Sequence, residues 1–137
     1  MLIKDMLSKC DHIATLRHYK GIVPFRHDGI YLGDGKVVHY GTDENGNPPI
    51  KVQIVSLKAF CKGNLNNLMI IPHLKKRYTE EQCMKRVAKS LGGGVGKYDF
   101  KKFNCEHYVE FILTNKPVSN QSQIIHDWKK YKQRMFG

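Results

Sequence analysis

A chain of 137 residues with 23 Lys and Arg against 12 Asp and Glu, formally +11 at pH 7, has the size of one domain and can bury an adequate core without disulfide staples. No stretch approaches 18 consecutive apolar residues, which argues against a helical membrane span, and the first nine residues lack an apolar run long enough for a secretory leader. The four cysteines, Cys10, Cys61, Cys83 and Cys105, form no CxxC pair, so the expected setting is the reduced cytoplasm, with peripheral membrane attachment open to so basic a chain.

The predicted elements begin with a strand from Asp11 to Arg17, which leads through Lys20 and Gly21 to Ile22 and Val23. Next, the β-prone residues Ile30-Tyr31-Leu32 and Val37-Val38 flank Gly33-Asp34-Gly35, the pattern of a β-hairpin reaching from His27 to His39. Loop length decides its faces. A two-residue Asp34-Gly35 loop pairs Leu32 with Val37 and Ile30 with His39, putting the two histidines on opposite faces. A three-residue loop, Gly33 to Gly35, pairs Leu32 with Lys36 and Gly29 with His39, so His27 and His39 become diagonal neighbours on one face within about 7 to 8 Å. The three-residue loop is the one expected, with Gly35 at its left-handed position.

Gly41 to Pro49 reads as a turn-rich, mobile loop beside that face. Lys51 to Val55 alternates like a half-buried strand, Ser56 to Phe60 suggests a helical turn, and Asn67 to Ile71 another strand. Thr79 and Gln82 form a capping box for a helix with the apolar stripe Cys83, Val87, Ala88 and Leu91, stopped by Gly92-Gly93-Gly94. The glycine run through Gly96-Lys97 precedes Tyr98 and follows a helix, so it is no nucleotide-binding loop. Asn104 is a good N-cap for a helix starting at Cys105. The predicted class is α+β, an antiparallel sheet packed against helices, in one domain over 1–137 with its core at 11–125 and a basic tail at 126–137.

Three residues carry the chemistry. Cys105 in a first helical turn gains thiolate character from unpaired N–H groups and the helix dipole. Cys105, His27 and His39 can between them fill the roles of nucleophile, base and orienting group, the parts of a cysteine acyl-transfer site. His107 lies about 200° around the helix from Cys105 and is a poor base. His12, His18, His73 and His126 have no metal-ligand spacing with the cysteines, so no metal and no cofactor is expected, and Cys10, Cys61 and Cys83 read as apolar fillers. The basic stretches Lys75-Lys76-Arg77 and Trp128 to Phe136 attract phosphate-rich partners, either an anionic membrane surface or nucleic acid. Trp128, Tyr131 and Met135 fall at the spacing of an interfacial helix, although so short a stripe also suits docking on the core.

The run His27-Asp28-Gly29-Ile30-Tyr31-Leu32-Gly33-Asp34-Gly35-Lys36-Val37-Val38-His39 followed by Asn104-Cys105-Glu106-His107 resembles the two boxes of the lecithin:retinol acyltransferase-like family, also called the H-box/NC family, a circularly permuted branch of the NlpC/P60 papain-like superfamily. The resemblance runs roughly from Asp11 to Ile125, including Asp11-His12-Ile13, the helix from Thr79 to Leu91 and Ser122-Gln123-Ile124. It implies that His27 takes the proton of Cys105, that His39 orients His27, and that Cys105 forms an acyl-thioester from a glycerophospholipid, with a phospholipase A or acyltransferase outcome. The sequence departs at Asp28, where many animal members have an aromatic residue; a carboxylate beside the base is expected to raise the imidazole pKa or alter substrate entry. Two alternatives use the same residues: a thiol peptidase or amidase, as in the wider superfamily, and a non-catalytic module binding RNA or host factors, as is open for picornaviral proteins that resemble this family.

Overall fold

The computed structural model describes residues 2–19, 21–73, 77–94 and 104–116. Within them the chain runs β1 (His12–Tyr19), β2 (Val23–Gly33), β3 (Lys36–Gly41), β4 (Lys51–Ser56), α1 (Leu57–Phe60), β5 (Met69–Ile70), α2 (Glu80–Ser90) and α3 (Cys105–Thr114), with short 3-10 turns at Ile3–Met6 and Leu65–Asn67. The strands form one antiparallel sheet in the order β4-β3-β2-β1-β5. The α+β class expected from the sequence is the one observed, and no helix of the described residues is long and apolar enough to cross a membrane.

The hairpin reaches the expected register by another route. Gly29 faces His39, as the three-residue loop required, but Gly33 rather than Leu32 faces Lys36, and the ladder shifts between Tyr31 and Gly33. The turn is therefore a two-residue Asp34-Gly35 connection with both residues at positive φ, and a bulge at Leu32 restores the register. Elsewhere, the strand expected over Asn67 to Ile71 contracts to Met69–Ile70 behind a 3-10 turn. The Thr79–Gln82 capping box is present, yet only Cys83 and Val87 of the expected stripe are buried, while Ala88 and Leu91 face solvent.

Side-chain alternation sorts the sheet into two covered faces. Ile30, Val38, Tyr40 and Val52 form one core with Cys83 and Val87 of α2 and Tyr108, Val109, Ile112 and Leu113 of α3. Ile13, Val37 and Val55 form the other with Phe60, Cys61 and Leu68. Each fully buried Ile or Leu contributes about 1.5–3 kcal/mol through removal from water. Gly29 permits the second layer to close: a Cβ there would meet the Phe60 ring at 2.7 Å and Val37 at 2.8 Å.

Candidate active site

His27 on β2 and His39 on β3 share the face of the sheet covered by Phe60, as the Gly29–His39 register dictates. Both are buried. His27 Nε2 lies 2.8 Å from His39 Nδ1, with the rings edge-on and their centroids 5.0 Å apart. Phe60 packs against both, at centroid distances of 5.3 and 6.0 Å. Gly41 seats the His39 ring, because a Cβ there would come within 2.7 Å of it.

The backbone assigns the protons. The Thr42 carbonyl can only accept, so His39 Nε2 donates to it at 2.8 Å and the neutral ring carries its lone pair on Nδ1. That lone pair accepts from His27 Nε2–H, which leaves the His27 lone pair on Nδ1. A chain from a fixed carbonyl through two imidazoles therefore sets the tautomer in which His27 can take up a proton. Burial, then the charges of Arg17, His39 and Lys62, push the His27 pKa well below its ordinary value. Burial likewise pushes His39 down to about 4, against the opposing pull of the Thr42 carbonyl. Both rings are thus neutral at physiological pH. Beside His39 opens a cavity lined also by Arg17, Asp43, Glu44, Lys58 and Lys62, so the loop after Gly41 does border His39.

Cys105 opens α3 and is buried. Asn104 caps the helix as expected, its side-chain oxygen accepting from the N–H groups of Glu106 at 2.9 Å and His107 at 3.1 Å. His107 closes the capping box, with Nδ1 accepting from the Asn104 N–H at 3.0 Å. That gives His107 a structural task and commits two first-turn donors to the cap rather than to an oxyanion. Around the thiol stands a charged cluster that sequence reasoning missed. Arg26 is ion-paired to Glu106 and hydrogen-bonded to both carboxylate oxygens of Asp28 at 3.0 Å. Burial would lower the Arg26 pKa, but Asp28, Glu106 and the Cys105 charge raise it. Arg26 is the cation named by these interactions as the neighbour of the thiol.

The structure thus brings His27 and His39 together, while α3 packs on the opposite face of the sheet, where Arg26, Asp28 and Ile30 point. Asp28 also departs from expectation. Its side chain turns away from His27 and binds His12 Nε2 at 2.5 Å, and it is absent from the charges acting on His27. It therefore does not raise the pKa of that imidazole. Cys61, a buried thiol on the histidine face, is pushed up by burial, as an apolar filler would be. Lys75, Lys76, His126 and the run from Trp128 to Phe136 lie outside the described residues.

An antiparallel five-stranded sheet packed against helices makes this an α+β protein, with hydrogen-bonded histidines on the sheet and a buried cysteine at the start of a capped helix. The chain belongs to the lecithin retinol acyltransferase family, whose sequence pattern matches residues 6–118. Among curated proteins it is similar to lecithin retinol acyltransferase of Rattus norvegicus, 26% identical over 131 residues, covering 77% of this chain and 56% of that protein. The chain therefore spans little more than half the length of that relative.

Proposed function

We propose that this protein is a cysteine-dependent acyltransferase or phospholipase A-type enzyme that draws its acyl group from a glycerophospholipid ester. The observation that supports this most is the Thr42–His39–His27 relay, since a fixed tautomer with a free lone pair on Nδ1 is what a thiol nucleophile needs from its base. Family membership points the same way. In the proposed cycle His27 Nδ1 takes the Cys105 proton and the thiolate attacks the ester carbonyl. The imidazolium returns the proton to the departing lysophospholipid oxygen, leaving a thioester on Cys105. Water, an amine or an alcohol, deprotonated by His27, then releases the acyl group. Arg26 and the start of α3 favour the thiolate, and Lys58 and Lys62, in a cavity wall they share with Asp43 and Glu44, offer the donor phosphate ammonium groups.

The cycle requires Cys105 and His27 to meet. The β2–β3 ladder ends at Gly29 and His39, so His27 lies just past its last rung. A second reading, a non-catalytic module of the same family, is favoured by the packing of α3 on the face opposite His27. The pH dependence of Cys105 alkylation separates the two. The enzyme reading predicts a thiolate already present well below the free-thiol pKa of about 8.5, with the profile shifting in His27→Ala; a profile like that of free cysteine, unchanged in His27→Ala, contradicts it. For the module, RNA binding that weakens with salt and survives Cys105→Ala is the expected result.

A further inference from the structure

A second cluster of ligating side chains lies on the α3 face of the sheet. His12 of β1 is buried, and its Nδ1 lies 2.8 Å from Nε2 of His73, 61 residues further along. Glu110 of α3 places Oε1 3.6 Å from each of these nitrogens. Three donors bound to one tetrahedral zinc ion at about 2.0–2.1 Å stand roughly 3.3 Å apart, a value that the three separations bracket. The cluster can take up an ion through shifts of a few tenths of an ångström.

What surrounds the donors suits an ion as well. Asp28 accepts from His12 Nε2 at 2.5 Å, which fixes the proton on that nitrogen and turns the Nδ1 lone pair toward His73 and Glu110. A carboxylate behind a ligating imidazole is the usual outer partner of a metal-bound histidine, where it sets the tautomer and strengthens the donor. Arg26 in turn holds Asp28 in place. The side chains of His73 and Glu110 keep 11% and 17% of their exposure, enough for an ion to enter.

We propose that His12, His73 and Glu110 form a divalent transition-metal site of the zinc type, with Asp28 orienting His12 and a fourth position for water or an external ligand. Two imidazoles and one carboxylate favour zinc or a first-row neighbour over calcium or magnesium, which prefer all-oxygen sets. Neither His27, His39 nor Cys105 takes part, so the site stands apart from the acyl-transfer reading. A bound ion would clamp α3 and the segment after β5 to β1.

The test is titration of the full chain with Zn²⁺, by calorimetry, and with Co²⁺ as a spectroscopic probe. Wild type should bind one Zn²⁺ in the micromolar range or tighter, and Co²⁺ should give visible tetrahedral bands without thiolate charge transfer in the near ultraviolet. His73→Ala and Glu110→Gln, both at positions with some exposure, should each weaken Zn²⁺ binding at least about a hundredfold, and Asp28→Asn about 10- to 100-fold, with far-ultraviolet circular dichroism confirming that each variant is folded. His18→Ala, an exposed histidine outside the cluster, should bind as wild type does. Absence of micromolar binding by wild type, unchanged binding by His73→Ala, or a charge-transfer band lost in Cys105→Ser would each overturn the proposal.

Discussion

His39 is held neutral by its surroundings, and that has a consequence for stability. Its pKa is about 4 in the fold against roughly 6.5 in an unfolded chain. Between those values the unfolded state binds more protons, so stability is fully present above about pH 6.5 and is lost progressively as pH falls toward 4. His27, lowered in the same direction, adds to the effect. Urea midpoints measured from pH 8 to pH 4 should therefore fall with pH, and His39→Gln should flatten the curve; a wild-type midpoint constant across that range would refute the buried neutral pair. Gly29 is the second residue whose role is sharp. Gly29→Ala drives a methyl into Phe60 and Val37, which should cost about 1–3 kcal/mol in denaturant unfolding and displace the ring that covers both histidines.

Helix α2 meets α3 through the apolar core and, at the end of α3, through Arg86. Arg86 donates to the carbonyls of Ile112 at 2.9 Å and Phe111 at 2.7 Å and to Asn115 Oδ1 at 3.1 Å, and stacks over Tyr78 and Phe111. A cation on the last carbonyls of α3 complements the negative end of that helix. Arg86→Ala should cost about 1–2 kcal/mol, measured by thermal or urea unfolding; Arg86→Lys should recover part of it, and no loss in either would mean that solvent replaces these contacts. The caps at Thr79 and Asn104 were legible in the sequence because Ser, Thr, Asn and their third-position partners act within four residues. The bulge at Leu32 was not. Gly33, Asp34 and Gly35 all tolerate positive φ, so two turn geometries give one register at the histidines, and local chemistry cannot choose between them.

At the scale of the whole molecule, the pairing of His27 with His39 was readable because a one-residue slip would put them on opposite faces. Which face α3 covers was not readable. Five of the six β3 residues are buried, so Val37 and Val38 look equally suited to either layer and carry no amphipathic signal. Arg26 and Glu106, 80 residues apart, and His12 and His73, 61 apart, meet only through the tertiary fold, and spacing along the chain does not report such encounters. The net charge of +11 attracts phosphate-rich surfaces. Steeply salt-dependent association with anionic vesicles, absent with neutral ones, is the outcome expected if the donor lipid is met at a membrane.

Intact-mass measurement after incubation with a glycerophospholipid addresses the proposed chemistry most directly. Wild type should gain one acyl group, mapped by peptide analysis to Cys105, with none on Cys105→Ser and at least about a hundredfold slower gain on His27→Ala. No adduct on wild type with a panel of acyl donors, or equal labelling of wild type and Cys105→Ser, would contradict the account and leave a basic, histidine-paired scaffold without this chemistry.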